Sequence, residues 1–159
     1  RDSYYDDGIH VYGYRPVVSI SFAIEHQFVE SPQVSHFINV LIYALTGILL
    51  FTVLSLLFSQ YNFLLPLLTT LLFSAHPLHT EVVASIKNRD ELLCLFFGLG
   101  AFWSALKFAD ATVFLKKILL TLLASGLFLL GMYSKLSIVP FAVLIPLGLV
   151  FYRLSLIHI

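Results

Sequence analysis

From Ser31 to Thr80 the chain contains no Asp, Glu, Lys or Arg, and most of that stretch is Leu, Ile, Val, Phe and Ala. A bilayer crossing takes about 20 apolar residues at 1.5 Å rise per residue, so the stretch has room for two crossings. Soluble domains need charges on their surfaces, and here they are too few: 11% of the 159 residues are charged and 59% are hydrophobic, against about 25% charged in an average soluble domain. The chain is therefore expected to be an integral membrane protein. Its 9 basic and 9 acidic residues cancel and form no basic run, which argues against a nucleic-acid partner. An aromatic content of 15% argues against disorder. Cys94, the single cysteine, lies in an apolar run and reads as a small hydrophobe.

The first span is expected over Phe37 to Phe58 and the second over Asn62 to Ala75 with its flanks, joined by the polar turn Ser59-Gln60-Tyr61-Asn62. So short a connector makes them antiparallel neighbours. Charges bound three more candidates: Leu92 to Leu106, Ile118 to Ser134 and Leu136 to Tyr152. These are short, and reach full length if terminal Lys and Arg residues extend their charges to the interface. Pro66 and Pro140 fall near helix starts, where a missing N–H is tolerated, whereas Pro146 is expected to kink the last helix. The expected fold class is all-α: a polytopic transmembrane bundle of about five spans, over residues 37–153, preceded by an interfacial segment.

Residues 1–36 are polar and aromatic and cannot cross a bilayer. Val17, Ile20, Ile24 and Phe28 recur at helical spacing opposite Ser19, His26, Gln27 and Glu30, the pattern of a helix lying in the interface. An ordinary amphipathic helix of a larger soluble face would give the same pattern. The chain opens on Arg1, with neither a start methionine nor a signal peptide, and is expected to be a piece of something longer. Residues 154–159 (Leu154-Ser155-Leu156-Ile157-His158-Ile159) resemble the in-frame translation of a transposase end used as a sequencing adapter, so they are expected to be a non-native tail. No repeat array or low-complexity tract is present.

The informative segment is His76-Pro77-Leu78-His79-Thr80-Glu81-Val82-Val83-Ala84-Ser85-Ile86-Lys87-Asn88-Arg89-Asp90-Glu91. Ionisable groups beside membrane helices are costly unless they pair or face water, so this segment is either a site or simply a solvated loop. Pro77 suits the first turn of a helix; His79 and Val83 would then share a face while Glu81 points elsewhere. His76, His79 and Glu81 lack the H-E-x-x-H arrangement, which argues against a zinc site. Lys87 and Arg89 suit an anionic group at the membrane surface, Arg89 through its planar fork. Antiparallel counting brings Arg15, Lys87, Arg89 and Lys135 to one rim with every acid except Asp110. Five basic residues on that side (Arg1, Arg15, Lys87, Arg89, Lys135) face four on the other (Lys107, Lys116, Lys117, Arg153), so the positive-inside count gives no orientation.

Four segments carry a resemblance: Tyr14-Arg15-Pro16-Val17, Ser35-His36-Phe37-Ile38-Asn39-Val40-Leu41, His76-Pro77-Leu78-His79-Thr80-Glu81-Val82-Val83 and Asn88-Arg89-Asp90-Glu91-Leu92-Leu93. Together they resemble the membrane half of the polyprenyl-phosphate-sugar-dependent C-type glycosyltransferases, in particular the transmembrane O-mannosyltransferases with tetratricopeptide repeats, in their bacterial form. The resemblance implies an integral membrane enzyme of the bacterial inner membrane, with its active face in the periplasm and residues 1–36 in the later part of an extracytoplasmic loop. It also implies that the usual catalytic aspartate lies upstream of Arg1, leaving the fragment inactive on its own. Lys135 is followed by Leu136, where the family often has an acid.

A sugar on a polyprenyl phosphate already has a good leaving group, so transfer to a protein hydroxyl or other acceptor needs one carboxylate base and cations to steady the departing phosphate. Arg89, Lys87, Arg15 and Lys135 are the candidates for holding the phosphate. His76, His79, Glu81 and Glu91 are the candidates for orienting the site. Asp6 and Asp7 are the paired carboxylates within the chain that could serve as base. No cofactor is expected, although a divalent ion is compatible with the chemistry. Two other classes compete: half of a transporter or flippase, and a non-catalytic anchor for a soluble repeat domain. Transporters usually place ionisable groups near mid-membrane, and none occurs at the centre of any expected span.

Overall fold

A computed structural model describes residues 15–28 and 31–157, and among these all regular structure is helical. The helices are α1 (Pro16–Phe28), α2 (Pro32–Leu57), α3 (Leu64–Ser74), α4 (Leu78–Ala84), α5 (Arg89–Asp110), α6 (Phe114–Ser134) and α7 (Val139–Ile157). Short 3-10 turns, Ile86–Asn88 and Leu136–Ile138, lead into α5 and α7. Pro16 and Pro32 open α1 and α2, where proline's fixed φ suits the first turn. Pro146 lies inside α7, which continues past it.

Among the described residues, four helical stretches are long and apolar enough to cross a membrane: Pro32–Leu57, Ile86–Asp110, Phe114–Ser134 and Leu136–Leu154. The expected second span takes a different form. Helix α3 has 11 residues and is about 16 Å long at 1.5 Å per residue, roughly half the hydrocarbon thickness of a bilayer. The return path alongside α2 is instead divided between α3 and the seven-residue α4. Phe63 meets Phe51 edge-on with ring centroids 5.6 Å apart, the Tyr43 hydroxyl donates to the Ser74 carbonyl at 2.9 Å, and the Asn39 amide donates to the Ser85 carbonyl at 3.3 Å. These contacts step back along α2 toward its start. The break between α3 and α4 falls at Ala75-His76-Pro77, because proline has no N–H to continue the ladder and turns the residue before it away from helix.

Helix α5 is the centre of the bundle, with 61% of its most apolar window buried against 11% for each of the other three. It packs chiefly on α6 and α2. Small residues make this close packing feasible: a Cβ on Gly98 would lie 2.7 Å from the Phe141 ring of α7. In a membrane, where lipid is as apolar as leucine, it is small and polar surface that is gathered inward. Helix α2, the most apolar of the four, exposes Leu41, Leu45 and Ile48. Val53, Phe102, Leu106 and Tyr152 form a buried cluster toward the C-terminal end of α5.

Helix α1 has three faces. Of the apolar stripe, Ile20, Ile24 and Phe28 are exposed and Val17 is half-buried. Ser19, His26 and Gln27 are exposed on a polar side. Val18 and Glu25 are buried, one helical period times two apart, and this third face presses the helix onto the bundle.

Candidate functional site

The first turn of α5, Arg89-Asp90-Glu91, organises one rim of the bundle. Arg89 is fully buried. Its Nε donates to the Asn39 side-chain oxygen at 2.9 Å, one Nη to the Glu25 carboxylate at 2.7 Å and the other to the Ser35 carbonyl at 3.0 Å. The Phe22 ring centroid lies 4.0 Å from the guanidinium carbon. Ser35 and Asn39 are one helical turn apart on α2 and so present to the same side; the Ser35 hydroxyl also donates to Glu25. Burial alone would raise the Glu25 pKa, but the Ser35 hydrogen bond and the Arg89 guanidinium outweigh it and hold the carboxyl below its ordinary value of 4.5. A buried charge is tolerated on these terms, paired and hydrogen-bonded on several sides.

The neighbouring Asp90 is also buried, yet it serves cations that are not. One of its oxygens accepts from the Glu91 backbone N–H at 2.9 Å, stabilising the helix start. The other accepts from Arg15, at the beginning of α1, and from the Lys135 ammonium at 3.3 Å. Lys135 sits on extended backbone between α6 and the turn before α7, and it also pairs with Glu91. Burial works against the Lys135 charge, but the Glu91 bond and the fields of Asp90 and Glu91 prevail and raise its pKa above 10.5.

The side chains of Arg15 and Lys135 keep 36% and 25% of their surface accessible. Both line a cleft of about 510 Å³ whose other walls include Leu129, Met132, Tyr133 and Leu136. A second, apolar groove of about 400 Å³ shares Leu129 and Tyr133 with it and continues along α6 past Leu130, Gly126 and Leu122. A Cβ on Gly126 would meet nothing within 4 Å, so this stretch of α6 is open. The result is a cationic pocket at the rim that runs on into an apolar trough.

The other residues singled out from sequence are divided differently. Arg89, expected to offer its fork to an anion, is committed to Glu25, Asn39 and Ser35 inside the protein. Lys87 is exposed and has no ion-pair partner among the described residues. His76, His79 and Glu81 do not line the cleft. The His79 ring instead packs on Phe73, centroids 4.3 Å apart, with Tyr43 at 5.8 Å and His76 at 6.0 Å. Burial and then the neighbouring His76 lower the His79 pKa below 6.5. Glu81 is exposed. Among the described residues no three or more His, Cys, Asp or Glu side chains converge as a metal site. Asp6 and Asp7 lie outside the described residues.

Glu25, Asn39 and Asp90 had no assigned role from sequence. Asn39 and Ser35 gave a signal, two polar residues at helical spacing near the start of an otherwise apolar span. Nothing local distinguished Glu25 from the other acids of the first 36 residues.

With this geometry in view, similarity to known proteins becomes informative. Over 102 residues the chain is 36% identical to protein O-mannosyl-transferase TMTC4 of Mus musculus, a match covering 56% of this chain and 14% of that protein. It is 32% identical over 92 residues to protein O-mannosyl-transferase TMTC3 of Homo sapiens, covering 57% of this chain and 10% of that one. The mouse TMTC1 protein O-mannosyl-transferase is 39% identical over 90 residues, 55% of this chain and 9% of its own length. These relatives are protein O-mannosyl-transferases. The chain spans only about a seventh of their length or less. No family model matches the chain, and no solved structure does.

Proposed function

We propose that this chain is part of the membrane domain of a glycosyltransferase that moves a sugar, mannose by analogy with the relatives, from a polyprenyl-phosphate carrier to a protein hydroxyl. The observation that carries the reading is the cleft in which Arg15 and Lys135 stand at the head of an apolar trough along α6. A polyprenyl phosphate has the matching form, an anionic head on a long apolar tail. In the transfer, the acceptor oxygen attacks the anomeric carbon while the bond from that carbon to the phosphate oxygen breaks. The departing phosphate leaves with the electron pair and gains one negative charge, and the acceptor proton passes to a carboxylate base. Cations fixed beside the leaving group stabilise the charge that develops there.

In this reading Arg15 and Lys135 face the phosphate, Glu91 orients Lys135, and Arg89 holds α1 and α2 in place from within. Lys87 is left as an exposed cation available to lipid headgroups. His76, His79 and Glu81 belong to the α3–α4 return, outside the cleft. The base comes from outside the described residues, with Asp6 and Asp7 as the candidates inside the chain. The exposed Ile20, Ile24 and Phe28 lay α1 in the membrane interface, and the rim that bears the cleft faces the extracytoplasmic side, the periplasm in the bacterial setting of the sequence resemblance. A transporter or flippase is less well supported, because every Asp, Glu, Lys and Arg within the four crossing stretches lies near an end.

The test is transfer of labelled sugar from a polyprenyl-phosphate donor by the complete protein in lipid nanodiscs. The Arg15→Ala, Lys135→Ala double variant is expected to lose transfer by roughly a hundredfold, since two charge-assisted contacts of about 1.5 kcal/mol each are removed. Undiminished transfer in that variant overturns the assignment of the cleft. A non-catalytic anchor is the outcome if the complete protein transfers nothing.

A further inference from the structure

We propose that Asp90 is a positioning residue, a buried carboxylate that holds Arg15 and Lys135 together at the cleft so that one anion can meet both. The inference rests on the reading of the cleft as a lipid-phosphate site, and it assigns a role to a residue that does not itself line the cleft.

The two cations come from chain segments far apart in sequence, one at the start of α1 and the other between α6 and α7. Left to themselves they would repel and move apart into solvent. A single oxygen of Asp90 accepts from both. Its other oxygen is fixed by the Glu91 backbone N–H at 2.9 Å, so the carboxylate cannot swing to follow either partner. Asp90 is 2% exposed and Arg15 and Lys135 remain partly accessible. The anion therefore touches the cations, and the carboxylate acts through them. The charges also distinguish Asp90 from Arg89. Arg89 is satisfied by Glu25 within the protein, whereas Arg15 and Lys135 retain donors that point to no second buried acid among the described residues.

The experiment measures binding of polyprenyl monophosphate to the complete protein in nanodiscs, with thermal midpoints recorded for each variant. Asp90→Asn keeps the size and an acceptor for the Glu91 N–H but removes the charge, and is expected to weaken binding by roughly tenfold. Asp90→Glu, which restores the charge, is expected to stay within about threefold of the wild-type chain. In an Arg15→Ala, Lys135→Ala background, Asp90→Asn is expected to change binding no further, because its partners are gone. Wild-type affinity in Asp90→Asn overturns the inference and leaves the cleft assignment standing. Continued weakening in the doubly substituted background also overturns it, since the effect would then be one of general structure, and this comparison is readable even where Asp90→Asn lowers the thermal midpoint. Failure of the wild-type chain to bind polyprenyl monophosphate overturns the lipid-phosphate reading and this inference with it.

Discussion

The two rims of the bundle carry ionisable residues in opposite ways. At the rim where α5 begins, Arg89, Glu25 and Asp90 are buried and tie α1, α2, α5 and the α6–α7 link into one network. At the rim where α5 ends, Asp110 is exposed and accepts from the Tyr152 hydroxyl at 2.9 and 3.0 Å, and Lys117 lies 5.9 Å from the Phe108 ring. A solvated rim needs only charges that reach water. A rim with buried charges needs a partner for each one, and losing a partner there costs far more than the intact pair contributes. The first rim is thus built to hold particular side chains in particular places, which is what a binding site requires.

The strongest way to break this contrast is Arg89→Met. It leaves Glu25 buried without its cation and Asn39 and Ser35 without a donor, and is expected to destabilise the bundle by about 3–5 kcal/mol. Unfolding in mixed micelles would report the loss. Adding Glu25→Gln should recover part of the stability, because the orphaned charge is then removed; no recovery would mean that the ion pair is incidental.

Acid should separate the rims next. Glu25 binds its proton less readily in the folded protein than in the unfolded chain, so its contribution is complete above the ordinary carboxyl value and is lost as pH falls through the lower folded value. Thermal midpoints measured downward from pH 5 should therefore drop, and Glu25→Gln should flatten that portion of the profile. A profile identical in the two proteins would rule out Glu25 as the source.

The smallest effects are expected at the other rim. Tyr152→Phe removes a hydrogen bond to a carboxylate that water can replace, and should cost about 1 kcal/mol. Lys117→Gln should shift stability by no more than about 0.5 kcal/mol. Losses there as large as that of Arg89→Met would erase the distinction between the rims.

Much of the bundle is legible in the sequence alone. The uncharged run from Ser31 to Thr80 marks α2 clearly, and the charges at Lys107, Lys117, Lys135 and Arg153 bracket α5, α6 and α7 closely. The spacing of Ile20, Ile24 and Phe28 likewise corresponds to an exposed stripe on α1. The second span was less legible. Hydropathy counts apolar residues without regard to whether one helix contains them, and Pro77 divides the return into α3 and α4. The site was legible only in its residue types. Arg89 and Arg15 are both arginines at one rim, and no local signal says that one is buried against Glu25 while the other stands at the cleft. His79 and Glu81, so prominent in the sequence, lie on α4 and do not line the cleft.

Composition and charge placement alone require a helical membrane protein with its charges at helix ends, since burying uncompensated charge or unpaired backbone in lipid is too costly for any arrangement to escape. Which charges neutralise one another and which remain available is settled by the packing of the helices. That choice depends on distances between residues such as Glu25 and Arg89, or Arg15, Asp90 and Lys135, which are set by how helices pack and have no counterpart in their separation along the chain.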